Sequence, residues 1–245
     1  FRDEVAAFLS EHVTDEVIET AHTTGTIHDW GLHRAMATQG WISAGWPTEY
    51  GGGGRSPLEM NVLSEQMYLS GAPVDGIGVA SLVAHTILLE GTEWQKSTIV
   101  GEILSGEAIC CLGYSEPESG SDVAACATRA VRDGDDWVID GSKMFTTLAH
   151  EARYVFLLTR TNPDVPKHKG LTMFVVPLDT PGITVERMLP VFGAYDEPYG
   201  HGQVLFDNVR LPKSAIIAGP GRGFEIAQGR LGPGRVHHCM RAIGA

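Results

Sequence analysis

Along the first hundred or so residues, apolar side chains return with the period of a helix: Val5, Phe8, Leu9 and Val13 fall on one face. Ser56, Pro57 and Glu59 form a capping box with proline at the first helical position, and Leu58, Val62, Leu63 and Met67 continue the apolar pattern behind it. Thr92 with Gln95 repeats the cap before a predicted helix that runs to about Leu104. Between the early helices lies GWPTEYGGGG, residues 45–54, whose proline and glycines predict a loop, mobile unless something binds it. From Cys110 the pattern shortens. WVIDG (137–141), KMFTT (143–147), YVFLLTR (154–160), LTMFVVPL (171–178), ITVERM (183–188) and QVLFDNVRLP (203–212) are predicted strands. Asp133-Gly134-Asp135, Asp140-Gly141, Asn162-Pro163 and Thr180-Pro181-Gly182 mark turns between them.

Short strands without intervening helices predict an antiparallel barrel or sandwich rather than a parallel nucleotide-binding sheet. A helix resumes near Gly223 with Phe224, Ile226, Ala227 and Leu231 apolar. Pro233, between two glycines, predicts a kink or a restart there, which places Val236, Met240 and Ile243 in a second helical piece. The expected fold class is α+β. Its expected division is a helical domain over 1–108, a β domain over 109–217, and the first helix of a further helical domain over 218–245.

Composition narrows the partners. A net charge of −12 argues against nucleic acid or an anionic membrane surface, either of which needs a continuous basic face. No run of about 18 apolar residues and no basic-then-apolar leader is present, so the expectation is a cytoplasmic protein without membrane insertion. Phe1 in place of Met is what a trimmed chain would show. The four cysteines, Cys110, Cys111, Cys126 and Cys239, have no metal-like spacing and are expected to be reduced core residues. His237 and His238 point about 100° apart on a helix, so they do not chelate one metal ion together.

Five ordered motifs carry a resemblance over essentially the whole chain: GWPTEYGG (45–52), YSEPESGSD (114–122), DGSKMFTT (140–147), VLFDNVRLP (204–212) and GRGFEIAQGRLGPGR (221–235). Together they resemble the acyl-CoA dehydrogenase family. That resemblance implies a helical N-terminal domain, a β middle domain and a C-terminal four-helix domain, with FAD between the last two. It places Leu112, Tyr114 and Ser115 along the flavin ring and Gly120 at a close approach of the backbone. Ser121 would touch both the cofactor and the pantetheine arm. Phe145 would stack on the ring where the family usually has Trp, with Thr146 and Thr147 at the ring's edge. His168, in the Lys167-His168-Lys169 cluster, and Arg235 are the candidate substrate contacts, and Glu116 takes a structural role beside Pro117.

The chemistry agrees: a strand-end loop of small residues exposes N–H donors suited to the carbonyls of a flavin. The plain alternative makes Ser119, Gly120 and Ser121 a turn and Phe145 a core aromatic.

The implied reaction is α,β-dehydrogenation of an acyl-CoA thioester, with electrons passing to electron-transfer flavoprotein. Most family members carry the catalytic glutamate late in the C-terminal domain, and a minority carry it where this chain has Gly234. No catalytic residue is therefore expected within the chain, which by itself is expected to lack dehydrogenase activity. The front half resembles members acting on lipid or steroid side-chain esters, the tail a branch acting on longer acyl chains. A homodimer or homotetramer is implied. An acyl-CoA oxidase or flavin monooxygenase of the same fold, and a non-catalytic FAD/CoA-binding subunit, stand as alternatives.

Overall fold

The computed structural model describes residues 1–190 and 200–244; within the last helix the side chains of Pro233 and His237 lie outside the description, as does residue 245. The residues 191–199, which fall within the tail segment 188–210 that resembles the branch acting on longer acyl chains, are likewise outside it. Seven helices precede the sheet among the described residues: α1 (Arg2–His12), α2 (Asp15–Thr24), α3 (Trp30–Thr38), α4 (Pro57–Ser70), α5 (Asp75–Glu90), α6 (Glu93–Gln95) and α7 (Gly101–Leu104).

Local chemistry sets their ends. Thr14 and Asp29 accept hydrogen bonds from Val17 N and Leu32 N at the starts of α2 and α3. Ser56 and Thr92 make the two predicted capping boxes. Between α6 and α7, Lys96–Val100 forms a π-helical turn, so the predicted continuous helix to Leu104 is two short helices joined by that turn. Val5, Phe8 and Leu9 are buried as their spacing requires, whereas α4 buries only Leu63 and leaves Leu58 73% exposed.

The glycine-rich 45–54 segment is tied down by its own backbone. Gly53 N donates to Ser43 O, Gly54 N to Trp46 O and Arg55 N to Ala44 O. A side chain at Gly52 would lie 2.2 Å from the Trp46 carbonyl oxygen, so glycine is needed for that close approach.

The eight strands are β1 (Cys110–Gly113), β2 (Arg129–Asp133), β3 (Asp136–Thr147), β4 (Tyr154–Arg160), β5 (Leu171–Pro177), β6 (Ile183–Leu189), β7 (His201–Pro212) and β8 (Ile216–Ile217). They run in the order β6-β7-β3-β2-β4-β5-β8, with β1 paired to β4. Most pairings are antiparallel as expected, but β1 lies parallel to β4, and β2 touches β4 in parallel at Arg129 and Arg160. The sheet is therefore mixed. β4 and β5 are buried for all but their last residue, which explains their unbroken apolar runs.

Four further expectations need correction. The two predicted strands at 137–147 are one strand, β3, kept continuous through Gly141 by a shift in its register with β7. β2 is absent from the predicted strands, because RAVRD buries only Ala130 and exposes Val131 along with the charged residues, so no apolar alternation shows. The last helix, α8 (Gly223–Gly244), runs without interruption through position 233. A proline removes one N–H and crowds the carbonyl four residues before it, yet the backbone stays helical on both sides of position 233. Gly223 seats the start of α8 on β5, where a Cβ would come within 2.7 Å of the Thr172 backbone. Cys110, Cys111 and Cys126 are buried free thiols, but Cys239 is exposed on α8 rather than in the core. No helix among the described residues is long and apolar enough to cross a membrane.

Candidate functional site

At the end of β1 the chain leaves the sheet as Leu112, Gly113, Tyr114 and Ser115, and the Met144 amide of β3 holds it by donating to the Ser115 carbonyl at 2.9 Å. The pairing of β3 with β7 shifts between Lys143 and Thr146. Within that gap Phe145 takes a left-handed φ of +56° and its side chain stays 53% exposed. A bulky residue in that conformation costs of order 1–3 kcal/mol and persists only where its surroundings impose it. Phe145 is therefore no core aromatic: its backbone is strained and its ring exposed.

A cleft of about 310 Å³ opens there. Leu112, Tyr114 and Ser115 wall it from the β1 loop, Phe145 and Thr147 from β3, Asp75 and Val79 from α5, and Arg230 and Leu231 from α8. Of the predicted flavin-side residues, the fold brings five together in this cleft: Leu112, Tyr114, Ser115, Phe145 and Thr147. Thr146 lies behind it, fully buried, with a hydroxyl that has no hydrogen-bond partner. Thr147 Oγ1 is 2.8 Å from His201 Nδ1. The buried Tyr114 hydroxyl also lacks a partner, and burial raises its pKa.

Orphaned polar atoms beside an exposed, strained aromatic fit a flat ring with a hydrogen-bonding edge, which is the shape of a flavin.

Beneath the loop lies a network that sequence reading assigned only in part. Glu116 accepts hydrogen bonds from Lys143 Nζ at 2.7 Å, Ala127 N at 2.6 Å and Thr128 N at 2.9 Å. Burial pushes its carboxyl up, but the Lys143 charge and these hydrogen bonds outweigh burial and hold it well below the usual range. Lys143 is fully buried and also donates to the Tyr114 carbonyl at 3.3 Å. Cys126 Sγ, 3.4 Å from Lys143 Nζ, has its pKa pushed up to about 11, chiefly by burial. Glu116 is thus the pin that holds the loop's shape.

The other predicted residues lie apart from the cleft. Gly120 and Ser121 are exposed, and the space around Gly120 is open. Lys167 pairs with Asp122 beside Ser121, which brings the 167–169 cluster against that loop. The exposed His168 ring lies 6.0 Å from the Phe224 ring. Arg235 is exposed and donates to Gln228 on its own helix at 3.1 Å.

Sequence reading missed Asp75, Val79, His201 and Lys143, and marked Arg230 only as one of the basic residues gathered in the last segment, open to a small anionic ligand. Of the missed residues only Lys143 left a signal, a lysine inside an otherwise strand-like KMFTT run. The others reach the site through tertiary packing. Among the described residues, no group of three or more His, Cys, Asp or Glu is placed to hold a metal ion.

A helical domain packed on a mixed sheet, with a cleft where α5 and α8 meet the sheet, places the chain in the α+β class. Two family models narrow this: "Acyl-CoA dehydrogenase, N-terminal domain" matches residues 1–107 and "Acyl-CoA dehydrogenase, middle domain" matches residues 111–209. The chain belongs to the acyl-CoA dehydrogenase family, an oxidoreductase family of flavoproteins.

It is 42% identical over 190 residues to acyl-CoA dehydrogenase family member 10 of Mus musculus, covering 76% of this chain and 17% of the relative. It is 35% identical over 219 residues to acyl-CoA dehydrogenase FadE26 of Mycobacterium tuberculosis, covering 85% of this chain and 53% of the relative. The ChsE4-ChsE5 complex from Mycobacterium tuberculosis superposes with a TM-score of 0.82 at 33% identity, over 94% of this chain and 58% of that one. The chain thus spans about half the length, or less, of these curated relatives.

Proposed function

We propose that the protein takes part in FAD-dependent α,β-dehydrogenation of an acyl-CoA thioester, with electrons passed on to an electron-transfer flavoprotein. The observation that carries this reading is the exposed, strained Phe145 facing the unpartnered Tyr114 cleft, in a chain of this family. FAD, when bound, supplies the hydride acceptor.

The chain's own residues do the holding. Phe145 offers a ring face to stack on, while Leu112 and Leu231 exclude water from the same cleft. Ser115 and Thr147 offer hydroxyls, and His201 holds the Thr147 hydroxyl in orientation, whereas Thr146, expected at the ring's edge, is buried behind the cleft and offers none. The Lys143–Glu116 pair fixes the loop that presents these groups. On the outer side, Gly120 is assigned to a close backbone approach to the cofactor, Ser121 to both the cofactor and the pantetheine arm, and His168 and Arg235 to the substrate. Gly234 offers no carboxylate, so proton removal is assigned to none of these residues. The division at 1–108, 109–217 and 218–245, assembly as a homodimer or homotetramer, and a cytoplasmic location belong to the same reading.

The test is the visible spectrum of the purified chain before and after addition of FAD and an acyl-CoA. Flavin bands at about 370 and 450 nm that survive gel filtration are expected. A colourless protein at saturating FAD would sink the reading.

A further inference from the structure

Arg230 stands where three clefts meet. It lines the cleft of about 310 Å³ beside Tyr114 and Phe145, a second of about 420 Å³ between α4, α5 and α8, and a third of about 470 Å³ beside Glu90. Asp75 and Val79 are shared by the first two, so these two clefts adjoin along α5. The second is walled by Met67, Ile77 and Val79 and carries Arg241 as well. Eleven positions separate the two arginines on α8, which puts them on one helix face about three turns, roughly 16 Å, apart.

Arg230 Nε is buried with no hydrogen-bond partner, and neither guanidinium pairs with a carboxylate among the described residues. Asp75 feels the charge of Arg241 without an ion pair to either arginine. Two cations against one carboxylate leave the joined clefts short of negative charge. A plain hydrocarbon chain laid here would leave the Arg230 fork unsatisfied, a cost that a buried donor meets only by finding an acceptor.

Resting on the acyl-CoA reading above, we propose that the acyl group this protein takes carries a second, free carboxylate, which Arg230 and Arg241 hold at the far side of the cleft. The planar guanidinium matches a carboxylate bidentately, and the apolar walls of Met67, Ile77 and Val79 receive the methylenes between the thioester and the acid. Arg230 serves shorter diacid chains and Arg241, three turns on, longer ones.

The test is calorimetric titration of the chain with two matched pairs: hexanoyl-CoA against adipoyl-CoA, and octanoyl-CoA against suberyl-CoA. The diacid esters are expected to bind roughly ten- to a hundredfold more tightly. Arg230→Met should abolish most of the adipoyl preference, read as the ratio of hexanoyl-CoA to adipoyl-CoA dissociation constants, and Arg230→Lys should restore part of it. If circular dichroism shows Arg230→Met unfolded, Arg241→Met tests the same assignment through loss of the suberyl preference. Equal binding within each pair by the unaltered chain overturns the carboxylate assignment and leaves the acyl-CoA reading standing. No binding of any of the four esters overturns both.

Discussion

Lys143 and Glu116 are a buried ion pair, and the consequence of breaking it differs from that of never having it. Removing one partner leaves an uncompensated charge out of water, so Lys143→Met should destabilise the fold by about 3–5 kcal/mol in urea denaturation. Adding Glu116→Gln to that variant should recover part of the loss, because the remaining group is neutral and its single amide oxygen still accepts from one of the Ala127 and Thr128 amides, which now donate to separate carboxylate oxygens. Phe145 sets stability against binding. Phe145→Gly relieves the left-handed backbone and should stabilise the chain by about 1 kcal/mol. The same change deletes the exposed ring and should weaken FAD binding roughly three- to tenfold, as read by flavin fluorescence titration. Sequence comparison with the family pointed to Phe145 through DGSKMFTT, but neither its strain nor its exposure was visible there, since both come from the shifted register of β3 on β7.

At the scale of elements, the caps were the most legible feature. Ser56 and Glu59 satisfy orphan amides at the start of α4 through contacts three residues apart, and such contacts need no tertiary information. Ser56→Ala should therefore cost about 1 kcal/mol in thermal unfolding. Strands with continuous apolar runs, β4 above all, were equally plain. β2 was not, because a strand that buries only Ala130 has no alternation to read until β3 lies beside it. The unbroken α8 was misread for the opposite reason: a local breaker at Pro233 is overruled by the helix around it.

At the scale of the whole molecule, the helical layer meets the β3–β4 turn through buried His28 and His33 and half-buried Trp30, whose Nε1 donates to Glu151 at 2.8 Å. Burial, the larger influence on each, lowers both histidine pKa values from 6.5 to about 4. Their folded-state values lie below the unfolded ones, so the unfolded chain binds more protons. Stability should be fully present above about pH 6.5 and fall as pH drops toward about 4, by up to about 1.4 kcal/mol per pH unit for each histidine. Urea midpoints measured across pH 7 to 4 check this, and His28→Gln with His33→Gln should flatten the slope. A midpoint that does not move over that range would show that the histidines are not held neutral.

By itself the sequence determined what depends on neighbours along the chain: helix caps, turn residues, the buried strands, and the motif loop from Leu112 to Ser121 that marks the family. Tertiary structure alone decided which side chains share a cleft. Asp75, Leu112, Phe145 and Arg230 are far apart in the chain and meet only because α5 and α8 pack against the sheet beside β1 and β3. Periodicity says which face of an element is apolar, but not which faces meet, and pairing charges or leaving them unpaired follows only from that meeting.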